Sequence, residues 1–163
     1  MPFRVTIEGD QRARNSLRGM AIQLHGREMV NAMARATVTL ERSAKKNSPV
    51  DTGRLRSSIS HAEFSTGFPN PKLVGIVGTN VTYAPFMEFG TGTFAGKSPH
   101  RPPASALSRW ARRHGMNPFI VARAIFEKGG LEPRHYLSDA LEENESKIAE
   151  ILNTGVKTII RKY

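Results

Sequence analysis

The feature that most constrains the fold is a helical pattern that fills the first third of the chain and stops at a proline. Apolar residues recur mostly three, four or seven positions apart, at Leu17, Met20, Leu24, Met33, Leu40 and Ala44. This spacing predicts one long amphipathic helix from about Gln11 to Lys46, which would measure about 50 Å if unbroken. Pro49 cannot continue the helix, and Asn47 is expected to form a left-handed cap.

Strand and turn patterns come before and after that helix. Phe3 to Ile7 alternates apolar and polar residues, which predicts a short N-terminal strand or arm. Two β-branched and apolar runs, Ser57–Phe64 and Lys72–Val81, flank a segment rich in turn-forming residues and predict a β-hairpin. Glycines and prolines between Gly90 and Pro103 predict a flexible surface loop.

The second half of the chain reads as helix. Two short helices are expected at Ala104–His114 and Pro118–Lys128, separated by Gly115, and a last helix runs from near Pro133 towards Thr158. The predicted fold class is therefore α+β, with a long N-terminal helix, an antiparallel hairpin or small sheet, short helices and a C-terminal helix. A chain of 163 residues fits one domain, residues 1–163.

Composition excludes several classes of protein. The chain has no cysteine, so disulfides, thiolate metal ligands and a cysteine nucleophile are absent. The five histidines show no metal-ligand spacing, so neither a metal nor another cofactor is expected. No apolar run suits a signal peptide or a membrane span, and we expect a protein made in the cytoplasm without membrane contact.

Charge is unevenly distributed along a chain whose net charge is +10. No acidic residue occurs from Phe89 to Phe126, whereas Glu127 to Glu150 holds seven acidic and three basic residues. A chain with one basic and one acidic segment can pair with copies of itself. Trp110 lies on an apolar helical stripe and is expected in the core. The basic side chains that could contact DNA or a partner are Arg101, Arg109, Arg112 and Arg113.

Two motifs suggest catalysis, but neither has the context that catalysis requires. Asp51, Thr52 and Gly53 spell the tripeptide of aspartic proteases, yet the flanking residues do not form the apolar strand that such a site needs. We expect these three residues to form a structural turn, with Asp51 as a helix cap. Gly90 to Gly96 lacks the lysine and the helix start of a phosphate-binding loop. The sequence predicts no catalytic residue and no enzyme.

Three short elements together resemble a phage family. They are Ser48–Ile59, with its Pro-Val-Asp-Thr-Gly-Arg-Leu core, then Val77-Gly78-Thr79, then Tyr83–Thr91, with its Tyr-Ala-Pro-Phe-Met-Glu-Phe-Gly-Thr string. Their order and spacing are similar to the tail-component family typified by the gene-ten product of lambdoid phages. Pro133–Leu141 resembles the element that usually closes the family pattern. The resemblance covers about Gln11 to Leu152, and the segment 97–130 looks like a basic helical insertion.

The resemblance implies a structural virion protein of the phage neck, with no enzymatic activity. Such a protein acts as a tail-completion or head-tail joining subunit in a homo-oligomeric ring, with a hexamer preferred and a twelvefold ring left open. Its expected neighbours are the head-tail connector, tail terminator or tail tube proteins, and DNA passes through the lumen. Its expected place in the virion is the head-tail junction or the tail end.

Within this reading, five residues are expected at a subunit or ring-to-ring contact: Tyr83, Glu88, Phe89, Gly90 and Thr91. The alternative for Tyr83 and Phe89 is that they fill the core. The alternative function is a nucleic-acid-binding protein that acts through the basic insertion and whose binding weakens steeply with salt.

Overall fold

The computed structural model describes residues 10–23, 26–66 and 72–162. The N-terminal strand or arm predicted at Phe3 to Ile7 lies outside the described residues. Helices and one pair of strands make up the described part of the chain. The predicted α+β fold class is confirmed.

The N-terminal helical region is divided in two, α1 at Asp10–Gln23 and α2 at Arg27–Asn47. The long N-terminal helix predicted from the sequence is confirmed, but it is interrupted near Gly26, which lies in a bend. Glycine costs about 1 kcal/mol relative to alanine inside a helix, so this position is a natural place for a helix to end.

The end of α2 also differs from the prediction. Asn47 is its last helical residue, and among the described non-glycine residues only His135 has a positive φ. Asn47 is therefore not the expected left-handed cap, and its side-chain amide instead donates to Glu143 at 3.2 Å. The Ser48 hydroxyl donates to the Lys45 carbonyl at 2.8 Å and satisfies one of the last helical acceptors before Pro49.

The predicted hairpin is present, with β1 at Ser60–Thr66 and β2 at Lys72–Gly78 paired as an antiparallel sheet. The strand prediction began three residues too early, because Arg54–Ser58 forms a short helix, α3. Over so short a segment, the content of β-branched residues does not distinguish a strand from a helix.

The three helices predicted in the second half of the chain are present with similar bounds, and the structure adds a short helix and a 3₁₀ turn that the sequence did not predict. The structure has α4 at Ala84–Phe89, a 3₁₀ turn at Gly92–Ala95, α5 at Ala104–Arg113, α6 at Pro118–Glu127 and α7 at Tyr136–Ile160. Helix α6 begins with Asn117, whose side chain accepts a hydrogen bond from the Phe119 amide at 2.9 Å.

The chain divides into two compact units, and the single-domain assignment stays a prediction. The first unit draws its described residues from positions 1–39, 61–76 and 145–163. Within it, Ala32 of α2 is fully buried, and a Cβ added to Gly155 of α7 would lie 2.8 Å from the Ala32 Cβ. The Thr37 hydroxyl of α2 donates to the Glu63 carboxylate of β1. Close helix packing and one buried polar contact hold this unit together.

The second unit comprises residues 40–60 and 77–144. Tyr136 is fully buried at its centre and is the largest of its fully buried side chains. Leu40, Val77, Met87 and Leu137 pack against the buried cluster as half-buried neighbours. The buried members of this core are Ala44, Leu55, Ile59, Val81, Ala84, Tyr136 and Ala140.

Candidate interaction surface

The predicted turn connects α2 to α3. Gly53 has a φ of 77°, in the left-handed region that favours glycine, and stands at the N-cap of α3. No side chain caps α3, so Asp51 does not have the capping role expected from the sequence. The Thr52 hydroxyl lies 3.5 Å from the Arg54 amide, at the limit of a hydrogen bond.

Asp51 contacts helix α5 instead. Its carboxylate pairs with the guanidinium of Arg113, and its second oxygen lies 3.5 Å from Nε2 of His114. The side chains of Asp51 and Arg113 are both about one-third exposed, at 35% and 36%. Arg113 was a candidate DNA contact, but its charge is already offset by this carboxylate.

Glu88 is the least expected side chain in the molecule, because it is charged and only 3% exposed. Its carboxylate accepts hydrogen bonds from the backbone amides of Leu137 and Ser138, both at 2.9 Å, and from the Ser138 hydroxyl. These amides belong to the first turn of α7, where N–H groups have no intrahelical acceptor. A carboxylate at a helix N-terminus also interacts favourably with the helix dipole. Glu88 therefore caps α7 from a distant part of the sequence.

The Tyr136 side chain shares this environment. Burial, together with the charge of Glu88, raises the pKa of the Tyr136 phenol above its ordinary value of 10.0. The phenol therefore stays neutral over the usual range of pH.

The segment that follows Glu88 is held by hydrogen bonds to residues 129–131, at the C-terminal end of the insertion. The Thr91 amide donates to the Leu131 carbonyl at 2.9 Å, and the Leu131 amide donates to the Thr91 hydroxyl at 2.8 Å. The Thr93 amide donates to the Gly129 carbonyl at 3.0 Å. We call these contacts, between residues 90–93 and 129–131, the glycine clasp.

The glycine clasp depends on a close backbone approach. A Cβ added to Gly92 would lie 1.9 Å from the Gly129 carbonyl oxygen, a distance that no side chain tolerates. Gly90 and Gly92 are buried, so this part of the expected surface loop lies in the interior.

The five residues expected at a subunit contact thus separate into two groups. Glu88, Gly90 and Thr91 make contacts within the protomer, as described above. Tyr83 and Phe89 are 37% and 61% exposed, so the alternative that they fill the core is wrong. The contact hypothesis now rests on these two aromatic residues, and Phe86 of α4 is exposed like them, at 54%.

An apolar groove of about 560 Å³ opens on the side of α4 that carries Pro85 and Phe89. Phe89 and Leu141 line it and are more than half exposed, while Tyr136 and Glu88 contribute from below the surface. The aliphatic side chains that define this apolar groove are Leu40, Val77, Val81, Pro85, Leu137 and Leu141.

The basic residues of the insertion lie mainly on its surface. Arg101, Arg109 and Arg112 are exposed, and none forms an ion pair with a described carboxylate. Trp110, which the sequence assigned to the core, is half-buried and stacks on His114 with ring centroids 4.3 Å apart. The His114 imidazole therefore covers one face of the Trp110 ring.

Helix α6 carries an apolar surface that the sequence reasoning missed. Phe119, Ile120 and Phe126 are 66%, 67% and 46% exposed, and we call this set the α6 ridge. Helices α5 and α6 pack on each other and bury small residues, Ala111 and Ala122. The available signal was the composition of α6, whose ten residues include a single basic and a single acidic side chain.

The described residues contain no group of three or more histidine, aspartate or glutamate side chains that could hold a metal ion. Asp51, the residue of the protease-like tripeptide, has a guanidinium and an imidazole as neighbours. A second carboxylate sharing a proton, which aspartic protease chemistry requires, is not the arrangement seen here.

Comparison with known proteins agrees with the sequence motifs. No curated protein and no solved structure matches the chain. Among the described residues, no helix combines the length and apolar character that crossing a membrane requires. A family model described as "Bacteriophage HK97-gp10, putative tail-component" matches residues 18–90, slightly less than half of the 163 residues. The resemblance is therefore confirmed over residues 18–90, where the chain is similar to a family of phage tail components.

Proposed function

We propose that the chain is a ring subunit in the phage neck, where it completes the tail or joins it to the head. The observation that carries the proposal is the match of residues 18–90 to a tail-component family. That segment contains the turn at Asp51, the hairpin and helix α4 with Glu88. The element at Pro133–Leu141, which supplies the amides bound by Glu88, lies beyond the match and stays a predicted part of the family pattern.

Exposed aromatic residues support a role in assembly. Tyr83, Phe86 and Phe89 lie on or next to α4, and Phe89 also lines the apolar groove. Large apolar side chains that cluster on a surface mark contact sites more often than single exposed residues do. In the proposed ring, these residues face a neighbouring subunit or an adjacent ring.

The distribution of charge supports closure into a ring. The basic insertion and the acidic start of α7 are different surfaces of one protomer, so a contact between them is heterologous. A heterologous contact repeated around a rotation axis closes into a ring, and the preferred copy number is six. The proposed neighbours are the head-tail connector, tail terminator or tail tube proteins, with DNA passing through the lumen.

The first experiment is electron microscopy of lysates from a phage that carries an early stop codon in this gene. Filled heads beside separate or malformed tails are the expected result, because the joining step would be missing. A plasmid copy of the wild-type gene is the control and should restore joined particles. Intact, infectious virions from the stop mutant would contradict the proposal.

The second candidate function is nucleic-acid binding through the insertion. It is favoured by one observation: Arg101, Arg109 and Arg112 are exposed and have no carboxylate partner among the described residues. Arginines in this state can contact phosphates, and each contact makes binding more sensitive to salt.

Duplex binding by the isolated protein separates the two functions. If the insertion binds DNA, Arg109→Gln with Arg112→Gln reduces the salt dependence of binding, whereas Arg123→Gln has less effect because Arg123 already pairs with Glu127. Binding that is undetectable at 150 mM salt, or equal in all variants, would remove this candidate.

A further inference from the structure

We propose that the α6 ridge of one subunit docks into the apolar groove of the next copy of this chain. The inference rests on the proposed ring and names the contact that closes it. Both surfaces belong to the second unit, and both are exposed on the same protomer. Neither surface is therefore covered by the other within one chain.

The α6 ridge presents three large apolar side chains on one side of its helix. With 3.6 residues per turn, Phe119, Ile120 and Phe126 fall within about 120° of one helix face, with the exposed Arg123–Glu127 ion pair between them. Their exposed area is on the order of 300 Å², within the range of the largest apolar patch on a typical monomer. On the same projection the half-buried Val121 and Ile125 lie opposite the ridge, so the ridge points away from the packed face.

The apolar groove matches the ridge in chemistry and in form. Its walls are mainly aliphatic, and its volume of about 560 Å³ accommodates several large side chains from a helix. Leu141 lies at the groove with 53% of its surface exposed, which leaves an apolar edge that a helix can cover.

Charge complementarity selects a second copy as the occupant. On α7, the exposed Glu142 lies about 100° around the helix from Leu141 and pairs with no described basic side chain. Arg109 and Arg112 lie on α5, which packs against α6, and are exposed without a described carboxylate partner. Docking the ridge into the groove brings an uncompensated basic surface towards an uncompensated acidic one.

Ring closure explains why both surfaces occur on one chain. In a closed head-to-tail ring, each copy gives its ridge to one neighbour and its groove to the other, so no ridge or groove remains exposed. A different protein seated in the groove would leave the α6 ridge uncovered. Helix α1 is the competing occupant, since Leu17 and Ile22 are 65% and 72% exposed, but it offers two large apolar side chains where α6 offers three.

Cysteine cross-linking tests the contact directly, because the chain has no cysteine of its own. Ile120→Cys and Leu141→Cys both replace exposed side chains, so each single variant should fold, with thermal unfolding as the check. Mixing the two singles under oxidising conditions should give a covalent dimer that contains one copy of each. Each single variant alone should give little dimer. The double variant should give a ladder of multimers that ends at the copy number of the ring.

Two matched mixtures control for chance collisions. Ser57→Cys with Ile120→Cys places an exposed cysteine on α3 and should give at least fivefold less dimer. Leu17→Cys with Leu141→Cys tests helix α1, and a dimer there in place of the Ile120 pair would overturn the inference. Strong homodimers of Ile120→Cys alone would also overturn it, because they indicate a symmetric ridge-to-ridge contact.

The outcomes distinguish this contact from the ring itself. Wild-type rings seen by electron microscopy, with no link between positions 120 and 141, would overturn the contact and leave the ring in place. A specific link together with open chains and no closed ring would support the contact and contradict the ring. A wild-type protein that stays monomeric and forms no link would contradict both.

Discussion

The surroundings of Glu88 and the surface of α6 belong to the same unit, but they combine polarity and burial in opposite ways. Around Glu88 a charged group is buried and fully hydrogen-bonded, whereas along α6 large apolar side chains face solvent. The first region connects α4 to α7 across the sequence and fixes the fold of the protomer. The second leaves apolar surface exposed, and in the proposed ring a neighbouring copy covers it. The two regions show that residue type alone does not reveal which side chains are buried within the protomer and which remain on its surface.

The largest effect is expected in the glycine clasp. Gly92→Ala should destabilise the protein by at least about 3 kcal/mol, because the new Cβ would meet the Gly129 carbonyl oxygen at 1.9 Å. Gly96→Ala is the matched control: its φ of 67° resembles the 62° of Gly92, but no atom lies within 4 Å of its Cβ. It should cost about 1 kcal/mol, from backbone strain alone. If chemical denaturation gave equal losses of unfolding free energy for the two variants, the close backbone approach at Gly92 would be unimportant.

Removal of the buried carboxylate should come next in size. Glu88→Ala leaves two amides and a hydroxyl of the α7 start without their acceptor and should cost about 3 kcal/mol. Glu88→Gln keeps one acceptor oxygen and should cost roughly half as much. Exposed Glu142→Ala serves as the control and should change stability by less than about 0.5 kcal/mol. A Glu88→Ala variant as stable as that control would show that the buried carboxylate does not stabilise the fold, and the difference between the two regions would be lost.

A smaller effect should appear at alkaline pH. Because burial raises the pKa of Tyr136 in the folded protein, the folded state holds the phenol proton more tightly than the unfolded chain does. This contribution to stability is complete below the unfolded pKa of about 10 and is lost as pH rises through the folded pKa. Tyr136→Phe should therefore flatten the fall in melting temperature between pH 9 and 11. Parallel curves for both proteins would contradict the shift.

The smallest effect on stability belongs to the α6 ridge. Phe119→Ser should change the free energy of unfolding by less than about 1 kcal/mol, because the side chain is already 66% exposed. It should nevertheless weaken self-association in analytical ultracentrifugation, whereas exposed Ser105→Ala on α5 should not. A Phe119→Ser protein that unfolds several degrees earlier than wild type would place this residue in the core and remove the comparison.

Local patterns were enough to predict most of the fold. The bounds of α5, α6 and α7 follow from apolar periodicity and from Gly115 and Pro118, which act within a few residues. The hairpin followed from its two apolar runs and the turn-forming residues between them. The break at Gly26 was overlooked because the apolar spacing continues across it, and α3 was overlooked because five residues are too few for a period to show.

The internal contacts of the second unit could not be predicted in the same way. Glu88 lies 49 residues from Leu137, and a single carboxylate in a short amphipathic segment looks like a surface residue until its partner is known. The glycine clasp joins residues nearly 40 positions apart, and its only local trace is glycine at 90 and 92 and again at 129 and 130. For that reason Glu88, Gly90 and Thr91 were assigned to an interface from sequence.

The glycine clasp also bears on how a chain of this kind can change over time. It joins the two ends of the insertion by a backbone hydrogen bond, which the Thr93 amide donates to the Gly129 carbonyl at 3.0 Å. A loop closed at its base adds only about 0.6 kcal/mol of closure entropy for each doubling of its length. Helices α5 and α6 can accordingly be lengthened, shortened or replaced while the rest of the second unit keeps its geometry. Under the proposed function, the choice of partner can therefore change at this site without a change of fold.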